Sequence, residues 1–190
     1  MIGKVLAQDQ APAESCVDFQ IGDLAVYPAH GVGQIESVES RIINGTHHDF
    51  YIMKILDNGM VIMIPTANVQ SVGLRPVING KEVPAIFDLL KEKKDDIHDN
   101  QTWNRRYKEY MDKIKSGSLF DVAEVFRDLY CLKLTKDLSF GERKLLDTSK
   151  TLLLRELCTA LEKEETVVWE TIQEFFIEEE EGTNSEVSPA

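Results

Sequence analysis

Apolar and polar positions follow two different patterns along the chain, and the change between them lies near residue 80. Before it, short runs rich in β-branched and aromatic residues alternate with turn signals, which is typical of β-strands. Two Asn-Gly pairs, at 44–45 and 58–59, predict hairpins because both residue types suit turns that need positive φ. A bend at 28–33 precedes them, and "VGLRPVI" after residue 71 can supply a last strand. Five short antiparallel strands are therefore predicted, closed into a small barrel that protects their edges.

After residue 80 the apolar positions recur at helical spacing. The first helix lies in "VPAIFDLLKEKKDD" and is followed by the charged linker "DDIHDNQ". Thr102 is placed to cap a second helix that Gly117 ends, and Ser118 is placed to cap a third. The third helix carries one apolar face, formed by positions 119, 122, 126, 129 and 130.

Two further helices complete the predicted bundle. Ser139 and Glu142 have the spacing of a capping box and open a long helix that is expected to end near Glu165. An amphipathic helix at 168–178 follows, and its apolar residues are Trp169, Ile172, Phe175 and Phe176. The pattern as a whole predicts an α+β protein in which a small antiparallel β-barrel is followed by a compact all-helical domain.

The same pattern divides the chain into four parts. We predict a flexible leader at 1–18, a barrel domain at 19–80, a helical domain at 81–178 and a disordered acidic tail at 179–190. The tail can simply confer solubility, which is the favoured interpretation. Alternatively, it screens basic groups elsewhere on the protein and lowers stray binding to DNA.

Charge is distributed unevenly along the 190 residues, whose net charge is −12. Residues 162–190 contain ten Glu and one Lys, which leaves the rest of the chain nearly balanced. Within that rest, the segment "WNRRYKEYMDKIK" at 103–115 carries five basic and two acidic groups. A local basic patch beside an acidic tail is compatible with contact to DNA, although the affinity for free DNA is expected to be weak.

Several classes of protein are disfavoured by what the sequence lacks. No run approaches the roughly 18 apolar residues that span a bilayer, and the first 16 residues lack the features of a signal peptide, so a cytoplasmic protein without membrane contact is expected. Cys16, Cys131 and Cys158 show no CxxC spacing, which favours buried or idle thiols over disulfides or a zinc site.

No catalytic constellation emerges either. His47 and His48 are neighbours in a predicted hairpin turn with Asp49 beside them, but neighbouring strand residues point to opposite faces and cannot easily chelate one metal ion. The "GVG" at 31–33 lacks the third glycine and the lysine of a nucleotide-binding loop. We therefore predict neither an enzyme nor a metal or cofactor site, and a hydrolase or metalloenzyme has no residues to support it.

Trp103 leaves two interpretations open. Positions 103, 107, 110, 111 and 114 form one apolar stripe, and a stripe at helical spacing usually packs into a core. However, the indole belongs to the first turn of its helix, where a side chain can project past the helix end. Arg105, Arg106 and Lys108 follow it at once. An aromatic ring can sit against a disrupted base step while nearby guanidinium groups hold phosphates, so a nucleic-acid contact is the second interpretation.

Four segments together resemble one family of proteins. They are "FQIGDLAVYPAHGVGQIESVESRIINGTHHDFYIMKI", "MVIMIPTANVQSVGLRPVI", "WNRRYKEYMDKIKSGSLFDVAEVFRDL" and "LSFGERKLLDTSKTLLLREL". They closely resemble the CarD/CdnL family of bacterial transcription regulators, over residues 19–161 and across both predicted domains. A similar polymerase-binding module occurs in transcription-repair coupling factors, but a chain of 190 residues has no room for their helicase motor.

The resemblance implies partners for the barrel. Family members bind the β subunit of RNA polymerase through an N-terminal Tudor-like barrel. Arg41, Met53, Met63 and Pro65 fall at positions that match family residues implicated in this contact. Arg41 could pair with a carboxylate across the interface, and a strand edge near Met63 could pair with a polymerase strand. Alternatively, Met53 and Met63 fill the core. Some relatives carry an arginine at the place of Met63.

The resemblance also implies a role for the helical domain, which in the family touches promoter DNA at the upstream edge of the melted region. Trp103 matches the family's wedge tryptophan, and Arg105, Arg106 and Lys108 match the basic residues beside it. Arg143 falls where relatives place another basic residue that faces DNA. These matches imply a monomeric, non-enzymatic regulator that binds polymerase and stabilises the open promoter complex. The alternative is an adaptor whose barrel recruits polymerase without direct DNA contact.

Overall fold

The computed structural model describes residues 18–92 and 102–182, and of residues 177–182 it describes only the backbone. Four predicted features lie outside the described residues: Cys16, residues 1–17 of the predicted leader, the linker "DDIHDNQ" and residues 183–190 of the predicted tail. An antiparallel sheet is followed by five helices, as the sequence predicts for an α+β protein. None of the helices in this part of the chain is long and apolar enough to cross a lipid bilayer.

The N-terminal domain is built on one five-stranded antiparallel sheet in the order β4-β3-β2-β1-β5. β4 and β5 are its outer strands and do not pair with each other, so the strand edges expected to be protected by closure remain at the two ends of this order; we keep the word barrel as the name of the domain. Its strands are β1 (Leu24–Tyr27), β2 (Gly31–Ile43), β3 (Thr46–Ile55), β4 (Val61–Pro65) and β5 (Arg75–Pro76). A register shift between Ile35 and Ser37 interrupts the β2–β3 ladder, as a β-bulge does. Phe19, Val69 and Leu74 lie outside the strands and are buried with the strand residues in one core.

Both Asn-Gly pairs lie in turns, but they use different geometry. Asn44 and Gly45 have φ values of 53° and 80° and form a two-residue turn between the paired residues Ile43 and Thr46. At the second pair only Gly59 has a positive φ, of 70°. Asn58 contributes through its side chain instead, since its Oδ1 accepts a hydrogen bond of 2.9 Å from the Met60 backbone N–H. The second turn is therefore a longer loop between β3 and β4.

The helical domain contains α1 (Val83–Lys91), α2 (Trp103–Lys115), α3 (Leu119–Thr135), α4 (Phe140–Leu161) and α5 (Glu165–Gly182). The Ser118 side chain caps α3, and Ser139 and Glu142 form the predicted capping box of α4. Thr102 occupies the N-cap position of α2, but its side chain makes no capping hydrogen bond.

The last two helices differ from the predicted bounds. α4 ends at Leu161 instead of near Glu165, because Glu162 adopts the left-handed conformation with a φ of 53°. α5 then begins at Glu165 and continues to Gly182, into the segment predicted as a tail. Four aromatic side chains join α3 and α5 in the core: Phe126, Tyr130, Trp169 and Phe176.

The two domains meet along the C-terminal half of α4, which packs against β2. Leu152 lies against Gly31, where an added Cβ would be 3.2 Å from its Cδ2 atom. One turn further along α4, Arg155 bridges the barrel and α5 by pairing with Asp57 at 3.2 Å and with Glu165 at 3.6 Å. The same helix therefore contributes to the helical core and to the contact between the domains.

The histidine pair and two of the three cysteines considered in the sequence analysis lie in the described part of the chain. His47 and His48 lie on β3 and not in the turn, and both are exposed. In the ranges 18–92 and 102–182, no cluster of three or more His, Cys, Asp or Glu residues could hold a metal ion. Cys131 and Cys158 are partly buried and form no disulfide within the described ranges, and burial raises the pKa of the Cys158 thiol.

Candidate functional site

Trp103 lies where the first turns of α2 and α4 meet. Its indole packs on the backbone of Gly141 so closely that a Cβ added there would be 2.8 Å from the Trp103 Cζ2 atom. On its own helix, the Tyr107 ring lies 5.6 Å away between centroids, at 59° to the indole. The indole is only partly buried. Trp103 is therefore supported on one side by α4 and remains accessible to solvent.

The apolar stripe of α2 changes its environment along the helix. At its C-terminal end Tyr110 and Ile114 are buried, with exposures of 8% and 2%, and Met111 is partly buried. At its N-terminal end Tyr107 is 43% exposed and Trp103 partly so. The core-packing interpretation therefore holds for the second half of the stripe, while the first half emerges at the surface.

Three predicted cations are exposed at this end of the domain, of which Arg105 and Lys108 lie on the side of α2 that faces away from Trp103, about 200° and 140° round the helix. Arg105 pairs with Glu109 one turn later, at 3.2 Å, but 68% of its side chain is accessible. Lys108 is exposed on the same helix. Arg143 is exposed in the first turn of α4, two residues after the glycine that supports Trp103. The contact between Trp103 and Gly141 therefore brings cations from two separate helices to one end of the domain.

Arg106 differs from these three because its side chain lies between the helices. Only 17% of that side chain is exposed, and it pairs with Glu142 of α4 at 3.5 Å. Its guanidinium carbon lies 5.9 Å from the centroid of the Trp103 ring. The Arg106 Nε is buried and has no hydrogen-bond partner in the described part of the protein. Arg106 thus joins α2 to α4 beneath the indole.

Glu142 is a suitable buried anchor for Arg106. It is 4% exposed, and its Oε2 accepts a 2.8 Å hydrogen bond from the Ser139 backbone N–H. Burial by itself raises the pKa of a carboxyl group, but the hydrogen bonds with Ser139 and the charges of Lys136 and Arg106 outweigh it, so the pKa of Glu142 is lowered. The carboxylate therefore stays ionised at neutral pH and holds Arg106.

Phe140 belongs to this site and was missed in the sequence analysis. It is the first residue of α4 and is 81% exposed, beside the glycine that supports Trp103. The motif "SFGE" was assigned only to the capping box. The spacing along the helix could have predicted its exposure. Position 140 lies on the opposite side of α4 from the buried positions 142, 145, 149 and 153. We call Trp103, Phe140, Arg105, Lys108 and Arg143 the α2–α4 face.

The barrel residues separate into a buried and an exposed group. Met53 on β3 is fully buried and packs on Gly33, where an added Cβ would be 2.7 Å from the Met53 Cε atom. The core-filling alternative therefore describes the Met53 side chain. Met63 on β4 is 40% exposed, and Pro65 is partly exposed at the end of that strand.

Arg41 lies at the same end of the sheet as Pro65. Pro65 is opposite Phe50, and Phe50 is opposite Glu39 on β2. Arg41 follows two residues later and pairs with Glu39 at 2.9 Å, with 52% of its side chain exposed. β4 is an outer strand of the sheet, so one of its edges has no neighbouring strand in the five-stranded order. Arg41, Met63, Pro65 and this edge form what we call the β4 surface.

The chain is similar to known proteins across both domains. Residues 19–78 match the family model of the CarD-like/TRCF RID domain, and residues 85–173 match that of the CarD C-terminal domain. A relative from Bacillus subtilis (strain 168), YdeB, is named as a candidate transcription factor. It is 37% identical over 139 residues, which cover 73% of this chain and 90% of YdeB.

Among solved structures, CdnLNt from Myxococcus xanthus is 48% identical to the matched part of this chain. The match covers 33% of this chain and 87% of that one, with a TM-score of 0.29.

Proposed function

Because the chain belongs to the CarD/CdnL family of transcription regulators, we propose that it binds RNA polymerase through the β4 surface and stabilises the melted promoter through the α2–α4 face. The proposed contact with the melted promoter rests on the position of Trp103. Its indole is held against Gly141 and accessible to solvent, with the exposed Arg105, Lys108 and Arg143 at the same end of the domain.

The chemistry of the α2–α4 face suits DNA at the edge of a melted region. An aromatic ring stacks on any unpaired or distorted base, which is worth about 1–3 kcal/mol per base. Exposed arginine and lysine side chains contact phosphates and fix the orientation of the protein without reading sequence. Phe140 offers a second exposed ring. The face therefore favours melted DNA of any sequence.

Arg106 has a different part in this proposal. Its pairing with the ionised Glu142 and its position beneath the indole suit it to holding Trp103 in place. An ion pair whose members are 17% and 6% exposed is screened little by solvent, so it can fix α2 against α4 firmly. We therefore assign phosphate contact to Arg105, Lys108 and Arg143, and support of the indole to Arg106.

The β4 surface has the features of a site for strand addition by the polymerase β subunit. The free edge of β4 can supply backbone hydrogen bonds, and the exposed Met63 and Pro65 side chains can supply apolar contacts. Arg41 is accessible and can exchange Glu39 for a carboxylate on the partner. Met53 supports this surface from the core below.

The weak affinity for free DNA indicates the order in which the protein binds its two partners. Three exposed cations at the α2–α4 face release few counterions, and the net charge of −12 opposes approach to DNA. Polymerase binding in the cytoplasm therefore comes first and delivers a single copy of the protein to the promoter. No catalytic step is part of this function.

A second candidate function, an adaptor without DNA contact, is favoured by one observation. The exposed rings of Phe140 and Tyr107 would also suit a protein partner. In that case the helical domain would bind a further protein while the barrel holds polymerase.

A polymerase pull-down combined with promoter-opening kinetics tests the proposal. We expect the wild-type protein to lengthen the lifetime of the open complex, and Arg41→Glu to weaken polymerase capture by reversing a charge at the interface. Lys163→Glu, also exposed but at the start of the α4–α5 connection, serves as a matched control and should bind like the wild type. Polymerase binding without any change in open-complex lifetime would favour the adaptor.

A further inference from the structure

Gly141 occupies a position where glycine is unfavourable for the backbone. It lies in the first turn of α4 and has no positive φ, so every L-amino acid can adopt its conformation. A glycine in a helix loses more conformational entropy on folding than alanine does, and therefore weakens the helix. The reason for a glycine at 141 must lie in what its missing side chain leaves free.

That space is filled by the indole of Trp103. An added Cβ would lie 2.8 Å from Cζ2, 3.6 Å from Cε2 and 3.7 Å from Cη2 of this one side chain. The first distance is shorter than real Cβ contacts, and all three atoms belong to the six-membered ring of the indole. The edge of that ring therefore rests directly on the α4 backbone.

We propose that Gly141 is a positioning residue that sets the orientation of Trp103 at the α2–α4 face. This inference rests on the function proposed above. The residues next to Gly141 on α4 have different environments. Phe140 and Arg143 are exposed, whereas Glu142 is buried and pairs with Arg106. A single helical turn thus supports the indole, anchors its helix and supplies two exposed neighbours. A methyl group at 141 would tilt or lift the indole without altering any of these side chains.

The variant Gly141→Ala tests the proposal because a purely structural role and a positioning role predict opposite results. Alanine favours the helix, so a structural role in α4 alone predicts a higher melting temperature and an unchanged promoter effect. A positioning role predicts an open-complex lifetime at least about threefold shorter, up to the loss given by Trp103→Ala. The melting temperature and the far-UV circular dichroism show whether the helical domain of the variant is folded, and polymerase capture through the β4 surface should remain at the wild-type level.

Fluorescence gives a readout on the free protein. The chain contains two tryptophans, and Trp169 belongs to the aromatic core, so Trp169→Phe leaves Trp103 as the only indole emitter. In this background Gly141→Ala should shift the Trp103 emission to longer wavelength and increase its quenching by acrylamide. Unchanged emission, quenching and open-complex lifetime would overturn the proposal.

A double-mutant cycle separates this inference from the proposed function. In the Trp103→Ala background no indole occupies the space next to residue 141, so Gly141→Ala should have no further effect on open-complex lifetime. The melting temperature should then rise by the whole amount expected from the helix preference of alanine over glycine. If Trp103→Ala leaves the lifetime unchanged, the proposed function fails, while the emission and melting data still test the position of the indole. If Trp103→Ala shortens the lifetime and Gly141→Ala does not, the positioning role alone fails.

Discussion

Arg75 of β5 and Glu156 of α4 join the two domains through a bidentate ion pair. The two guanidinium nitrogens lie 2.5 and 2.9 Å from the two carboxylate oxygens. The Ile78 backbone N–H also donates to Glu156 at 3.0 Å, and Arg75 Nε donates to the Gly117 carbonyl at 2.5 Å. Glu156 is 2% exposed, and Arg75 from the other domain is its ion-pair partner in the described residues.

Removing Arg75 should destabilise the protein strongly. Arg75→Met leaves the Glu156 carboxylate buried without its cation, which costs about 3 kcal/mol of unfolding free energy. Urea denaturation measures this loss. Arg155→Met is the matched control, because both of its ion pairs are largely exposed and are worth about 0–1 kcal/mol. The double variant with Glu156→Met should recover much of the loss, and equal effects of Arg75→Met and Arg155→Met would contradict the prediction.

Trp103→Ala should affect the promoter more than the fold. Loss of one base stack should shorten the open-complex lifetime by roughly five- to 150-fold. Because the indole is only partly buried, the loss of stability should stay below the roughly 3–5 kcal/mol of a core tryptophan. Thermal melting and promoter kinetics on the same sample measure both quantities.

Ile114→Ala, at the buried end of the same helix, should give the reverse result. It should cost about 2–5 kcal/mol of stability and leave the promoter effect per folded molecule unchanged. A large loss of stability for Trp103→Ala with a normal promoter effect would assign Trp103 to the core.

The basic residues should separate into two classes by salt dependence. In polymerase complexes, Arg105→Ala, Lys108→Ala and Arg143→Ala should each reduce the salt dependence of open-complex stability by about 0.9 in the log–log slope. Arg106→Ala should leave this slope nearly unchanged and lower the melting temperature, since it removes one of the two cations that pair with the buried Glu142. Lys163→Ala is the control for loss of one exposed charge. A slope change for Arg106→Ala equal to the others would place its guanidinium on a phosphate.

Stability should fall in acid partly through Glu142. Its pKa in the folded protein lies below the ordinary value of 4.5, so the unfolded chain takes up the proton first as the pH falls. Its contribution is therefore complete above about pH 4.5 and is lost as the pH falls through the lower folded pKa. Glu142→Gln should lower stability at pH 7 and weaken the dependence on pH below about 4.5, as measured by urea denaturation across pH. Glu174→Gln, which is exposed, should change neither.

Features that depend on neighbouring residues could be predicted from the sequence. The turn at 44–45 follows from the positive φ that Asn and Gly tolerate, and the capping box follows from the spacing of Ser139 and Glu142. The apolar face predicted for α3 is buried at 119, 122, 126 and 129, but Tyr130 is only partly buried, and Val125, Arg127 and Asp128 are buried although they lie off that face. The turn and the capping box depend on contacts within a few residues, which a sequence pattern records directly.

Features that depend on distant parts of the chain could not be predicted. Helical phase places Arg106 beside the apolar stripe of α2 and Arg105 on the far side, but the sequence does not show that Glu142 of another helix is the partner of Arg106. Met53 and Met63 both lie in nearly continuous apolar runs, which do not show which face of the sheet is buried. Met63 is opposite Ile52 and therefore points to the other face from Met53, while its neighbour Ile64 on β4 is buried. The contact of Arg75 with Glu156 spans 81 residues. Such outcomes follow from how the elements pack together.

The position of α4 across both domains also makes its length a constraint. Gly141 and Glu156 lie about four turns apart on this uninterrupted helix, a separation of roughly 22 Å. One inserted residue between them would advance one end by about 1.5 Å and rotate it by about 100° relative to the other. The contact between Trp103 and Gly141 and the ion pair between Arg75 and Glu156 would then lose their relative orientation. α4 thus serves as a spacer of fixed length and phase, and we expect it to accept substitutions at exposed positions more readily than insertions or deletions.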